Sequence, residues 1–228
     1  MRVNKKEALR YLGFSQAEPD SQTEAILNAC LPALENAAAF KYTLREFPIT
    51  VSENSIMLNG DVIQSSALSS HLKTCTHCLL FCATLGAGVD TLIKAYSKTD
   101  MPACLVLHAC ASSLLESAVD NVQAELGQAY SKRGLCLCER FSPGYGDFSL
   151  SYQQTLLRIL DAAKTIGLSC TEKSMLVPLK SITAIIGITN SEIETNSRGC
   201  SSCTLNKTYL YKKPTIEKSE SGENHGLS

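Results

Sequence analysis

The segment 140–147 holds residues whose types and spacing suit the binding of a small charged ligand. Pro143-Gly144 fits the central positions of a type II turn, because Pro fixes φ at the first position and Gly supplies a positive φ at the second. Ser142 and Tyr145 are then the outer residues of the turn. A stiff turn with Arg140 before it brings a guanidinium and a phenol ring to one place. The guanidinium can pair with a carboxylate, and the ring can pack against a cation.

The same residues also fit a surface turn that binds no ligand. In that interpretation Arg140 pairs with one of its acidic neighbours in the chain, Glu139 or Asp147. Spacing alone is compatible with both interpretations, so both remain open at this point.

The elements that must position this segment can be predicted from hydrophobic periodicity. A short strand over 135–139 leads into the turn, and an amphipathic helix over 149–166 follows it, ended by Gly167. Continuous apolar runs predict buried strands over 78–84 and 182–188, and the longest helix is expected over 102–129. Asn59-Gly60-Asp61 suits a hairpin turn. Strands and helices do not alternate regularly, which favours an α+β fold.

Composition limits the classes of protein to which the chain can belong. Hydrophobic residues make up 44% of the 228 residues, and 21 basic residues face 22 acidic ones. This balance predicts no nucleic-acid partner, and no apolar run reaches the roughly 18 residues that a membrane span needs. The charged N-terminus has no apolar signal region, so a cytoplasmic protein with reduced cysteines is expected. We predict a globular domain over 1–190, a cysteine-containing segment over 191–213 and a disordered tail over 214–228.

The cysteines are the second set of residues that could do chemistry. Cys200 and Cys203 form a C-x-x-C pair, as do Cys75 and Cys78, and four thiolates can hold zinc or an iron–sulfur cluster. The two pairs are far apart in the chain, so a metal site is expected mainly on Cys200 and Cys203. The alternative for the cysteines inside predicted strands is that they are buried thiols that only pack.

The pattern Arg140-x-x-Pro143-Gly144-Tyr145 resembles the signature of the activation domain of cobalamin-dependent methionine synthase. The likeness covers about residues 135–190 and continues through these positions: Leu157-x-x-Leu160-Asp161-x-x-Lys164-x-x-Gly167-Leu168-x-x-Thr171-Glu172, then Pro178 and Ser181. There are two departures. Ile185-Ile186-Gly187-Ile188 stands where the full-length enzymes have aromatic residues, and the acidic ligand contact of the fused domain is not located.

The resemblance implies a bent antiparallel sheet flanked by helices, and it implies S-adenosylmethionine as the ligand. Carried over by position, Arg140 would hold the ligand carboxylate. Ser142 and Gly144 would contribute backbone contacts, Pro143 would shape the turn, and Tyr145 would pack against the ligand.

The resemblance also implies a role, as an accessory subunit for the reductive methylation of cobalamin in methionine biosynthesis. The sequence lacks the Asp-x-His-x-x-Gly motif of cobalamin carriers, so the cobalamin would sit on a partner methionine synthase subunit. An external electron donor such as a flavodoxin or ferredoxin would be needed. The chain would contribute to a methyltransferase activity without being a complete enzyme. The alternative is a cysteine-ligated metal or redox module, or a scaffold, acting on another corrinoid protein.

Overall fold

The described part of the chain, residues 2–14 and 18–190 of a computed structural model, contains helices and strands in mixed order. The helices are α1 Lys5–Tyr11, α2 Ser21–Ala37, α3 Ser66–His71, α4 Ala87–Tyr96, α5 Met101–Ser131, α6 Gln153–Ile159 and α7 Ala162–Ile166, with a 3-10 turn at Leu150–Tyr152. The strands are β1 Lys41–Val51, β2 Ser55–Leu58, β3 Asp61–Gln64, β4 His77–Thr84, β5 Cys136–Phe141, β6 Ser169–Cys170, β7 Leu176–Val177 and β8 Ser181–Thr189. The predicted segments 191–213 and 214–228 lie outside the described residues.

Six strands form one open sheet in the order β3-β2-β1-β4-β8-β5, and every neighbouring pair is antiparallel. Strand β1 spans both halves of the sheet, since its first eight residues pair with β4 and its last three with β2. Strand β5, which leads into the segment of interest, is an edge strand. The α+β expectation of an antiparallel sheet flanked by helices is confirmed.

The sheet separates two hydrophobic cores, and strand β4 shows how the sequence builds both. Alternate side chains of a strand point to opposite faces. Leu79, Phe81 and Ala83 enter the first core, against α1, α2, α4 and α5. Cys78, Leu80 and Cys82 enter the second core, against α3, α6 and α7. Because both faces are covered, the strand reads as a continuous apolar run.

Helix α5 is the main support of the first core. Asp100 caps its N-terminus by accepting a hydrogen bond from the backbone N–H of Ala103, at 3.0 Å. By length and mean hydropathy it could cross a membrane, contrary to the expectation that no stretch qualifies. However, 67% of that apolar stretch is buried inside the protein, as in the core helix of a folded domain.

A hairpin turn joins β2 and β3 as predicted, but it has only two central residues, Asn59 and Gly60, because Asp61 already belongs to β3. Asn59 has φ 52° and Gly60 has φ 84°, so both central residues are left-handed, as a type I′ turn requires. The hairpin prediction is confirmed.

The helix predicted over 149–166 is wrong as a single element. The chain forms a 3-10 turn, then α6, then α7, with a break at Asp161, whose φ is 49°. Neither glycine nor proline marks this break. Asp adopts the left-handed conformation more readily than most residues, so the chain can turn there at modest cost.

Candidate functional site

A β-bulge determines the direction of the Arg140 side chain. Leu137 pairs with Ile188 and Arg140 pairs with Ile186, so three steps along β5 match two steps along β8. One extra residue in a strand reverses the alternation of its side chains. Leu137 and Arg140 therefore both face the first core and α5, whereas Cys138 between them lies in the second core.

Three polar residues on one face of α5 hold the Arg140 guanidinium. Asp120 Oδ1 accepts from Nη2 at 2.7 Å, Glu116 Oε2 accepts from the same nitrogen at 3.3 Å, and Gln123 Oε1 accepts from Nη1. The Arg140 side chain is 15% exposed, and those of Glu116 and Asp120 are 36% and 49% exposed. The alternative pairing of Arg140 with Glu139 or Asp147 is therefore wrong.

The spacing of the polar residues in α5 indicates in the sequence that the partners of Arg140 share one helix face. Glu116, Asp120 and Gln123 are spaced by four and three residues, which places them on one face of a helix. Polar residues at this spacing in a mostly apolar helix indicate a face turned away from the core, toward solvent or toward another charged group. The partner of that face could not be assigned, since Arg140 lies 17 to 24 positions further along the chain.

The turn after β5 has the predicted geometry. The backbone N–H of Tyr145 donates to the carbonyl oxygen of Ser142 at 3.1 Å, and Gly144 has φ +99°. A second hydrogen bond, from the Gly144 N–H to the carbonyl oxygen of Phe148, connects the turn to the residue that follows the segment. The type II turn with outer residues Ser142 and Tyr145 is thus confirmed, and Pro143 in it is buried.

Asp147 ties the end of this segment to helix α3. Its carboxylate accepts hydrogen bonds from the Ser65 hydroxyl, the Ser66 N–H at 2.8 Å and the Ala67 N–H at 3.0 Å. These bonds, the one from Ser65 foremost, lower the pKa of Asp147 to about 2. Gly146 allows the close approach, since a Cβ there would lie 2.7 Å from the Ala67 Cβ.

Tyr145 projects from the turn with 56% of its surface exposed. Its ring meets the Phe141 ring edge to face at a centroid distance of 5.8 Å, and Phe141 in turn lies 5.0 Å from His71 and 6.3 Å from Phe148. Phe141 packs on the second core, on the face opposite to the Arg140 side chain. The structure thus brings Arg140 and Tyr145 to the same edge of the sheet, with their side chains toward different faces.

Ser142 carries a buried polar atom that the described residues leave unsatisfied. The residue is 9% exposed, and its hydroxyl oxygen has no hydrogen-bond partner in the described part of the chain. Buried hydroxyl groups are normally hydrogen-bonded. The Ser142 hydroxyl oxygen is one of six such buried side-chain atoms in the described residues, and it has almost no accessible surface, so a ligand could reach it only if the turn moved. The backbone contacts expected of Ser142 and Gly144 stay a prediction.

The isoleucines of β8 do not form a wall for a ligand. Ile185 lies in the second core, and Ile186 and Ile188 lie in the first. They take part in packing the two faces of the sheet. Tyr145 supplies an exposed ring at the candidate site. Glu116 and Asp120 supply the acidic groups beside Arg140.

The predicted metal ligands Cys200 and Cys203 lie outside the described residues. Within residues 2–14 and 18–190, no group of three or more His, Cys, Asp or Glu side chains is arranged to hold a metal ion. Burial raises the pKa of Cys78 and of Cys82 to about 12, so both stay protonated at neutral pH. This agrees with the interpretation of these two as packing thiols.

A surface cavity of about 270 Å³ lies away from the turn, and residues of α6, α7 and β6 line it. Leu157, Ala162 and Leu168 supply apolar surface there, and Arg158 and Asp161 supply charge. None of the predicted ligand residues belongs to its lining.

The fold was compared with those of known proteins. Several solved chains match, among them the MetH reactivation domain bound to AdoHcy, with a TM-score of 0.60 and 15% sequence identity, over 80% of this chain and 73% of that one. The chain has the fold of a methionine synthase reactivation domain. No family model matches the sequence, and no curated protein matches it. In this reactivation-domain fold, the segment resembling the signature is the turn that follows edge strand β5.

Proposed function

We propose that the chain binds S-adenosylmethionine at the edge of the sheet formed by Arg140, the adjacent face of α5 and the turn 142–145. In this role it supports reductive methylation of cobalamin in methionine synthase. The observation that carries the proposal is Arg140, held between two carboxylates beside a rigid Pro-Gly turn, in a fold shared with a reactivation domain solved with AdoHcy.

The charges around Arg140 match those of the amino-acid end of this ligand. One guanidinium and two carboxylates, those of Glu116 and Asp120, give the cluster a net negative charge. S-adenosylmethionine carries a carboxylate, an ammonium group and a sulfonium, and is a net cation. Arg140 uses three of its five N–H groups within the described residues, which leaves donors for the ligand carboxylate. The α5 carboxylates would pair with the ammonium.

The rest of the ligand would follow the edge strand toward the turn. The turn backbone at Ser142 and Gly144 would supply polar contacts, and the exposed Tyr145 ring would supply a surface for packing. Arg140 and Tyr145 face different sides of the sheet, so the ligand has to reach around β5. An extended ligand with a charged group at one end meets this requirement.

The chemistry of the proposed role is divided between polypeptides. The bound sulfonium compound supplies a methyl group, the cobalamin of a partner methionine synthase subunit accepts it, and a flavodoxin or ferredoxin provides the electron. The residues of this chain bind and orient the methyl donor, and this positioning is their whole contribution. Such a system operates in the cytoplasm, so we place the chain there.

Calorimetric titration with S-adenosylmethionine tests the binding site. We expect saturable one-to-one binding to the wild-type chain and at least about tenfold weaker binding to Arg140→Ala, since a charge-assisted pair contributes about 1.5–3 kcal/mol. Arg158→Ala is the matched control, because Arg158 also pairs with a carboxylate, that of Asp61 at 2.8 Å, but away from the turn. The control should bind like the wild type.

Equal affinity of a folded Arg140→Ala variant and the wild type would reject the site. Absence of binding to the wild-type chain, both alone and with a cobalamin-loaded methionine synthase lacking its own reactivation domain, would reject the function. A cysteine-ligated metal found in anaerobically purified protein without S-adenosylmethionine binding would favour the metal or redox alternative.

A further inference from the structure

Two cysteines from distant parts of the chain meet in the second core, next to the bulge that orients Arg140. The Cys75 and Cys138 sulfur atoms lie 3.5 Å apart, 63 positions apart in sequence. Cys75 precedes β4, and Cys138 belongs to β5. Both are buried, at 6% and 8% exposure, but neither is sealed completely from solvent.

The surroundings of the two sulfur atoms favour their contact. Gly187 lies opposite the bulge on β8, and a Cβ there would lie 2.5 Å from the Cys75 sulfur and 2.9 Å from the Cys138 sulfur. Only glycine therefore leaves room for both thiols at this position. Sharing one proton with Cys138 lowers the pKa of Cys75 and raises that of Cys138, so Cys75 is the better nucleophile.

We propose that Cys75 and Cys138 are a modification site at which a peroxide forms a reversible disulfide, and that this bond stiffens the segment 140–147. The Cys75 thiolate attacks a peroxide oxygen, the O–O bond breaks, and Cys75 becomes a sulfenic acid. The Cys138 sulfur then attacks the Cys75 sulfur, the S–S bond forms, and water leaves. In total the two thiols lose two electrons and two protons, and hydrogen peroxide is reduced to two water molecules. A dithiol reductant reverses the change.

The geometry requires only a small movement. A disulfide has an S–S distance of about 2.05 Å, so the sulfur atoms must approach by roughly 1.5 Å. Cys138 lies within the bulge, two residues before Arg140, and its carbonyl accepts from Gln123 Nε2 at 3.5 Å. The bond would therefore connect the bulge covalently to the chain before β4, and restrain the strand that leads into the turn.

Peptide mapping of the whole chain tests the bond. The protein is treated with hydrogen peroxide at a few equivalents, blocked with an alkylating agent and digested without reduction. We expect a peptide pair linked through Cys75 and Cys138, which disappears after dithiothreitol and forms in Cys82→Ala. Cys82 is the matched control, since it is a buried thiol of the same core. Cys75→Ala and Cys138→Ala should each abolish the link.

Hydrogen exchange of residues 140–147 tests the consequence. Peroxide treatment should slow exchange there several-fold in the wild type and leave it unchanged in Cys75→Ala. Links through other cysteines only, or oxidation of Cys75 to the sulfinic acid without a link, would overturn the site. A complete Cys75–Cys138 link without any change in exchange would overturn the stiffening. Neither readout depends on S-adenosylmethionine.

Discussion

Arg140 lies opposite Ile186, one position out of step with the pairing of Leu137 and Ile188. This offset places the guanidinium beside α5 instead of in the second core. The residue that creates the offset can be removed, and the effect on stability can be measured.

Deletion of Glu139 removes the extra residue, so Arg140 becomes the second residue after Leu137 and stays on the same face, opposite Ile186 and beside α5. Its bonds to Glu116 and Asp120 should therefore persist. We expect the deletion variant to fold, with a free energy of unfolding lowered by about 1–2 kcal/mol through lost contacts of the bulge, such as the bond between the Glu139 carbonyl and His71. The control is Glu139→Ala, which keeps the bulge and the backbone carbonyl that contacts His71. Because the Glu139 side chain is exposed, this variant should change stability by less than about 0.5 kcal/mol in urea unfolding.

The Asp147 carboxylate should make stability depend on pH in the acid range. Its pKa in the folded chain is about 2, below the value of about 3.9 for an unfolded Asp. The unfolded state therefore binds the proton more readily, so the contribution is present above about pH 4 and is lost as the pH falls toward 2. Urea unfolding midpoints should be measured from pH 2 to 7. Between about pH 4 and pH 2 the midpoint should fall less steeply with decreasing pH for Asp147→Asn than for the wild type.

Ser65→Ala tests the cause of the lowered Asp147 pKa, because the hydrogen bond from the Ser65 hydroxyl makes the largest contribution to it. NMR titration of the Asp147 carboxyl should show a higher pKa in this variant. An unchanged pKa would contradict the hydrogen bond as its cause.

Two glycine-to-alanine substitutions should change stability in opposite directions. Gly144 has φ +99°, and a Cβ there would lie 3.3 Å from Leu150 Cδ2. Gly144→Ala should therefore destabilise the chain by about 1–2 kcal/mol. Gly127 lies inside α5, with no atom within 4 Å of an added Cβ. Gly127→Ala should stabilise by about 0.5–1 kcal/mol. Stabilisation by Gly144→Ala would show that the turn differs from the one described.

A double-mutant cycle can test the packing around Gly187. The added Cβ of Gly187→Ala meets Cys75, Leu72 and Cys138 within 3 Å, and this overpacking should cost about 1–3 kcal/mol. Cys75→Ala removes the nearest of these atoms. The double variant should therefore be more stable than the sum of the single changes predicts, by at least about 0.5 kcal/mol in urea unfolding. Strict additivity would contradict the contact.

The sequence predicted those features of the fold that depend on neighbouring residues. The hairpin at Asn59-Gly60, the turn at Pro143-Gly144 and the C-cap at Gly167 follow from the φ angles that these residues favour. The buried strands and α5 follow from hydrophobic periodicity. The break at Asp161 has no comparable signal, so the helix 149–166 was predicted as one piece.

The candidate site was predicted less completely, because its central contacts are between distant residues. The neighbours of Arg140 in sequence suggested Glu139 or Asp147 as partners. The bulge turns Arg140 toward Glu116 and Asp120 on α5 instead, and Asp147 binds the start of α3. A pattern with period two cannot reveal an extra residue in a strand, since the residue is recognised only from its pairing with β8.

The anchored turn also determines how a ligand would arrive. The Asp147 bonds, the bond between Tyr145 and Ser142, and the ion pairs of Arg140 are all formed in the chain by itself. Conformational entropy of this segment is therefore lost when the protein folds, and capture of a ligand requires little further ordering. Association should be a single bimolecular step, whose observed rate rises linearly with ligand concentration and reaches no plateau.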